Sequence, residues 1–255
     1  MKIRHNPTLE KQIAERAREF LEKQERGAGV HVSSLLTPRK YYWQQVDPLP
    51  LTERDIGYFI AGRAHHEVVL AIMHKAGKVG DAPEAESKQW KEIWYTPDYR
   101  LGFLAEIKST RKQSAPNPNN MDEMLREYKH YLKQLSMYMA VEDQERAALI
   151  VFYISLRHDD ANKTTFPTTL TYTVTLSPAE REAIRKEMVQ GKNLINKALK
   201  LKDHTILPLC PIWMCAKGGF RGPAIKDCPR YDVCQPEGRY PLAEFVKARK
   251  EGEDD

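Results

Sequence analysis

Leu101-Gly102-Phe103-Leu104-Ala105-Glu106-Ile107-Lys108-Ser109-Thr110, entered through Pro97-Asp98, has the alternation of a β-strand. A period of two puts Leu101, Phe103, Ala105 and Ile107 on one face and brings Glu106 and Lys108 out together on the other. A carboxylate and an ammonium on an otherwise apolar strand are costly to bury without a task. A surface strand carrying an ion pair is the plainer account of Glu-x-Lys taken by itself. Asp98 upstream adds a second carboxylate. Two carboxylates outline a site for Mg²⁺ or Mn²⁺, hard cations held by one or two carboxylates together with waters and substrate phosphate oxygens. A lysine alongside would reach the phosphate or the attacking water.

The 255 residues suffice for one large domain or a domain with an elaborated end. Forty Lys and Arg against 35 Asp and Glu leave a net charge of +5, compatible with a nucleic-acid partner but far from a histone-like polycation. Met1 to Pro7 lacks the apolar stretch of a secretion signal, and no run approaches the length of a membrane span, so a soluble cytoplasmic protein is expected. Thiols stay reduced in that compartment. The four cysteines, Cys210, Cys215, Cys228 and Cys234, therefore read as metal ligands before disulfides. Their C-x4-C-x12-C-x5-C spacing matches no common zinc ribbon, and either zinc or an iron-sulfur cluster would order a segment short of core residues.

Around these landmarks the chain reads as alternating helices and strands. Thr8 caps a helix to about Arg26, with Leu9, Ile13, Ala17, Phe20 and Leu21 as its apolar stripe. Arg39 and Lys40 then run into Tyr41, Tyr42 and Trp43, a set of cations and rings suited to a phosphate backbone and unpaired bases. Thr52 opens a helix to about Lys75 on which His66 faces inward with Phe59 and Met73, while His65 points elsewhere. Ser87 to Tyr95 reads as one aromatic-rich strand lying beside the Leu101–Thr110 strand, so that the two bracket Asp98. A Pro- and Asn-rich loop over Arg111 to Asn120 leads to a helix from about Asp122 to Ala140, where Gln134 and Tyr138 share a face. Ala147 to Ser155, almost wholly apolar, is a central strand, and Thr168 to Thr175 is another. Ser177-Pro178-Ala179-Glu180 starts a last helix to about Leu201. The order implies an α/β fold with a small mixed central sheet flanked by helices.

Four of these features fall in one sequence. Gly62 and His66 form G-x-x-x-H, Asp98 stands as an isolated acid, Glu106-Ile107-Lys108 is E-x-K, and Gln134 with Tyr138 is Q-x-x-x-Y. Together they resemble the PD-(D/E)-x-K nuclease superfamily and, within it, the RecB-like exonucleases that include the CRISPR-associated single-strand exonuclease family and its phage relatives. The segment Ser34 to Trp43 is similar to the S-x-L-x-x-C-P-R-K-x-Y-W segment of the iron-sulfur branch, with Thr37 where that pattern has a cysteine; Cys228 and Cys234 match the branch's last C-x5-C pair, with Ile225 where a cysteine is expected three residues earlier. Cys210 and Cys215 would make up the ligand count.

The resemblance implies a restriction-endonuclease-like core over residues 1–204, a metal-bound cysteine-rich cap over 205–240 and a tail over 241–255. His66, Asp98, Glu106 and the Ile107 carbonyl would hold Mg²⁺ or Mn²⁺, Lys108 would act on water and phosphate, and Gln134 and Tyr138 would position the strand or Lys108. Arg39, Lys40 and Tyr42 would guide DNA. Cys210, Cys215, Cys228 and Cys234 would hold a 4Fe-4S cluster, with structural zinc as the alternative. The implied activity is a DNA exonuclease running 5′ to 3′ on single strands or ends in recombination, repair or CRISPR adaptation. Its alternatives are a duplex-resecting nuclease or endonuclease, and a catalytically silent DNA-binding adaptor. A homo-oligomer or a recombination or CRISPR-adaptation partner is compatible with the family.

Overall fold

A computed structural model of the chain describes residues 15–16, 19, 29–49, 53–73, 86–99, 103–110, 116–117, 120–153, 168–209 and 230. They divide into two compact units, one comprising 1–36 and 49–189, the other 37–48 and 190–255. The expected N-terminal helix lies outside the described residues except for Glu15, Arg16 and Glu19, which are helical. All four cysteines of the expected cap also lie outside them.

The first unit begins with β1 (Val30–His31) and α1 (Val32–Leu36). After the long helix α3 (Glu53–Met73) come β2 (Lys88–Trp90), β3 (Ile93–Tyr95) and β4 (Leu104–Thr110). The short α4 (Met121–Glu127) and α5 (Lys129–Val141) lead to β5 (Arg146–Tyr153), β6 (Thr168–Thr175) and α6 (Pro178–Leu201), the last of which runs on into the second unit. The architecture is mixed α/β, but among the described residues the single sheet expected from sequence is two sheets of three strands, ordered β1-β3-β2 and β4-β5-β6.

The expected strand over Ser87 to Tyr95 folds back on itself at Lys91-Glu92, whose φ angles of 46° and 63° make a two-residue hairpin turn with both central residues left-handed. Neither residue is Gly or Asn, so nothing in the sequence announces the turn. β3 then pairs in parallel with β1 rather than with β4. The two strands expected to flank Asp98 thus belong to different sheets.

In the β4-β5-β6 sheet the apolar β5 is central, parallel to β4 and antiparallel to β6. Alternation sends Leu104, Ala147, Leu149, Val151 and Tyr153 into a core with Leu135 and Met139 of α5 and Met188 of α6. It sends Ala105, Ile107 and Ile150 to the opposite face, against Val69 and Leu70 of α3. Each fully buried side chain of this size contributes about 1.5–3 kcal/mol. The sheet therefore sits between two helical layers, and the polar members of β4 emerge within a packed frame.

The helix expected over 122–140 breaks at Tyr128, which separates α4 from α5. Its buried hydroxyl hydrogen-bonds that of Tyr153 on β5 at 2.6 Å, anchoring the break to the sheet. Ser177 and Glu180 form a capping box at the start of α6: Ser177 N–H donates to Oε2 of Glu180 at 2.8 Å, and Glu180 N–H donates to Oγ of Ser177 at 3.3 Å. Arg181 and Arg185 of that helix share Oδ1 of Asp143 at 3.2 and 2.7 Å, fastening α6 to the end of α5.

In the second unit, α2 (Pro38–Val46) starts on proline, and Thr37 makes no side-chain cap. Trp43 packs against His204, ring centroids 5.0 Å apart, and Asp203 caps the His204–Ile206 turn. Arg39 is 2% exposed and donates to the Leu207 carbonyl at 2.6 Å.

Candidate active site

β4 delivers the two charges of Glu-x-Lys to one face, and the chain ahead of it delivers Asp98. An antiparallel bridge between Tyr99 and Ala105 folds the preceding loop along the outer edge of β4. Asp98 is thereby set so that its Oδ2 accepts the Ile107 N–H at 2.7 Å. On the other side, α3 lays its Gly62, His65, His66 and Val69 against the same end of the sheet. Between them lies a cleft of about 220 Å³, walled also by Asp98, Ile107, Lys108, Ser109 and Phe152.

The Lys108 ammonium pairs with Glu106 and stands 3.9 Å from Oδ2 of Asp98. Nδ1 of His66 lies 3.9 Å from Oδ1 of the same aspartate. His66, Asp98, Lys108 and Glu106 thus form one continuous cluster reaching from the cleft wall into the interior. Glu106 is its deepest member, fully buried. Gln134 donates to the hydroxyl of Tyr138 at 2.8 Å, and the Lys108 ammonium sits 5.8 Å from the centre of the Tyr131 ring.

The electrostatics follow from two carboxylates sharing one ammonium. Burial pushes Glu106 up to about 8 against the pull of Lys108, and the Asp98 charge adds to the rise. For Lys108, burial works downward, but the Glu106 and Asp98 charges outweigh it and hold the ammonium above the ordinary lysine value. Both shifts have the same sense from different causes: burial holds the proton on Glu106 against the ammonium, and the two carboxylate charges hold it on Lys108 against burial. Burial, then the Glu106 charge, also keeps the Tyr138 phenol protonated well beyond its usual range.

Nε2 of His66 and both carboxylate oxygens of Glu106 are buried without a hydrogen-bond partner, Glu106 having only its ion pair with Lys108. Buried polar atoms left without hydrogen bonds are costly and call for a ligand or water. Among the described residues no group of three or more His, Cys, Asp or Glu side chains is placed so as to hold a metal ion. An imidazole and two carboxylates in one cluster are donor types that Mg²⁺ or Mn²⁺ take only together with waters and substrate oxygens.

Other expected site residues stand differently. His65, expected to point elsewhere, walls the cleft, with its Nδ1 at 2.6 Å from the Ala61 carbonyl. Arg39 and Tyr42, expected to guide DNA, are each 2% exposed and serve the interior of the second unit; only Lys40 of that trio is exposed. Ile107 meets Asp98 through its N–H. Ser109 and Phe152 enter the cleft as register partners across β4 and β5, a pairing that strand order alone determines. Cys210, Cys215, Cys228 and Cys234 lie outside the described residues.

The site defines a class, an α/β protein with a carboxylate-lysine-imidazole cleft. No family model and no curated protein sequence matches the chain. Among solved structures, it is similar to the crystal structure of SSO0001 at 15% identity, over 91% of this chain and 98% of that one, with a TM-score of 0.48. A phage-related exonuclease from Haemophilus somnus 129PT is similar at 12% identity over 78% of this chain and 85% of its own, with a TM-score of 0.39. At such distances neither neighbour bears on this chain's activity. Among the described residues no helix is long and apolar enough to cross a membrane.

Proposed function

We propose that this chain is a Mg²⁺- or Mn²⁺-dependent deoxyribonuclease. The observation that carries the reading is the Lys108 ammonium held between Asp98 and Glu106, beside an inward imidazole whose Nε2 has no hydrogen-bond partner. His66, Asp98 and Glu106 would hold the cation. When bound, it would supply charge neutralisation at the scissile phosphate and lower the pKa of water. Water adds to phosphorus, the P–O bond to the departing sugar oxygen breaks, and the proton released from water is returned to that oxygen. Lys108 orients the water and touches the phosphate, relaying the proton once its partner carboxylates are shared with the cation. Tyr138, kept protonated and held by the Gln134 amide, would position the strand or Lys108.

Within this reading the substrate is single-stranded DNA or DNA ends, degraded from 5′ to 3′, and Cys210, Cys215, Cys228 and Cys234 carry a 4Fe-4S cluster, or zinc in its place. Exposed Lys40 is the contact we assign to the DNA backbone outside the cleft. Single strands labelled at either terminus test the activity and its direction. Nucleotide release should require Mg²⁺ or Mn²⁺ and disappear in Glu106→Ala and Lys108→Ala; release that survives both changes would refute the site. Strand binding by a wild-type protein that never cleaves would instead favour the silent adaptor. Visible absorbance bleached by dithionite would support the cluster, and colourless protein with equimolar zinc would refute it.

A further inference from the structure

Helix α3 contains two interior glycines, Gly57 and Gly62, and a Cβ added to either would meet nothing within 4 Å. Glycine inside a helix is unfavourable relative to alanine, and at neither position does packing demand it. Gly62 walls the cleft together with His65 and His66. Gly57, five residues earlier, lies roughly 140° around the helix, away from the cleft. The bare backbone at Gly62 therefore leaves room that a side chain would take from whatever enters.

Phe59 precedes Gly62 by three residues and His66 by seven, which places it on the same stripe of α3, one turn beyond the cleft. Expected from its heptad spacing to face inward with His66, Phe59 is instead 46% exposed, an aromatic in water beyond the end of a polar site. Nδ1 of His65 is occupied by the Ala61 carbonyl, which leaves Nε2 for a ligand in the cleft. A ring, a backbone without side chains and a polar wall thus follow one another along a single helix face.

We infer that the Phe59–Gly62 edge of α3 seats one unstacked nucleotide of a single strand, its base on the Phe59 ring and its sugar-phosphate backbone passing over Gly62 toward His66 and Lys108. The inference rests on the nuclease reading with its single-stranded substrate and adds where on α3 one nucleotide of that strand is held. Inside a duplex both faces of a base are covered by its neighbours, so only a single strand or a frayed end can offer one to Phe59.

The test is fluorescence anisotropy of a labelled oligothymidylate with the full-length protein in EDTA, where binding is read apart from cleavage. Phe59→Ala should weaken binding about tenfold or more, and Phe59→Trp should retain it with indole quenching on addition of the strand. Gly62→Ala should raise the Tm yet weaken binding, and Gly62→Leu should weaken it further. Gly57→Ala, the internal control, should raise the Tm and leave binding unchanged. Blunt duplex should compete poorly. Wild-type affinity in Gly62→Leu, equal effects at the two glycines, equal competition by duplex, or no binding by the wild type would each overturn the inference. Strand binding through this edge without hydrolysis would uphold it while sinking the nuclease reading; hydrolysis indifferent to Phe59 and Gly62 would do the reverse.

Discussion

Replacing Glu106 with glutamine should stabilise the metal-free protein at pH 8 and do little below pH 4.5. The wild-type carboxyl titrates at about 8 in the folded chain, against an ordinary value of 4.5, because burial outweighs the Lys108 charge. Between those limits the native state holds a proton that the unfolded chain has released, so stability falls as pH rises, and the loss is complete above pH 8. The Lys108 contribution is constant over this range, since its ammonium stays charged in both states. At roughly 1.4 kcal/mol per pH unit, the span corresponds to a ceiling of about 5 kcal/mol. Even 2 kcal/mol of that would move the Tm by roughly 4–8 °C in a chain of this size. Glutamine keeps the shape and never ionises, so it escapes the loss. Thermal melts of both proteins from pH 4 to pH 8.5 should converge at the acid end and separate upward. Mn²⁺ at pH 8 should raise the wild-type Tm and narrow the gap, because it binds the ionised native site. A variant less stable than wild type at pH 8, or a gap independent of pH, would refute the assignment of Glu106 as a buried, charge-strained carboxyl.

Other perturbations probe the frame. Tyr153→Phe should cost about 1–3 kcal/mol by stranding the buried Tyr128 hydroxyl, and adding Tyr128→Phe should recover most of the loss in urea denaturation. Ser177→Ala should cost about 1 kcal/mol by removing the capping box of α6, read as a lower denaturation midpoint at unchanged slope. Arg39→Lys should destabilise the chain by about 2 kcal/mol while barely changing DNA affinity, since a flexible ammonium does not reproduce the buried guanidinium contact to Leu207; a selective loss of DNA binding with intact stability would show the guanidinium to be a nucleic-acid contact after all.

The local pattern of α6, β5 and β6 was legible because each carries a periodic apolar signal or a cap, as at Ser177-Pro178, whereas α3 was found in extent but not in facing, since Phe59 and Ile60, expected on its inner side, are exposed. The convergence of His66 with Asp98, Glu106 and Lys108 followed from motif order, which carries information about space that periodicity lacks. The Lys91-Glu92 turn escaped because left-handed φ at two charged residues has no composition cue, and with it escaped the division into two sheets. His65 was misplaced because adjacent helical residues were assumed to face apart, whereas the cleft is broad enough for both imidazoles. Arg39 and Tyr42 looked like DNA contacts because a guanidinium beside an aromatic has the same spelling on a surface and in an interior; burial separates the two and is set by the distant segment around Leu207.

Asp98 has a second occupation. Among the described residues β4 has a strand partner only in β5, and along its other side the amides of Ala105 and Ile107 are met in turn by the Tyr99 carbonyl and the Asp98 carboxylate. The side chain continues the ladder on the side where no described strand pairs, so alanine at 98 would both disarm the chemistry and open a seam in the sheet. Asparagine, whose amide oxygen still accepts from Ile107, separates the two consequences, and inactivity in a scan of alanines alone would say nothing about which had occurred.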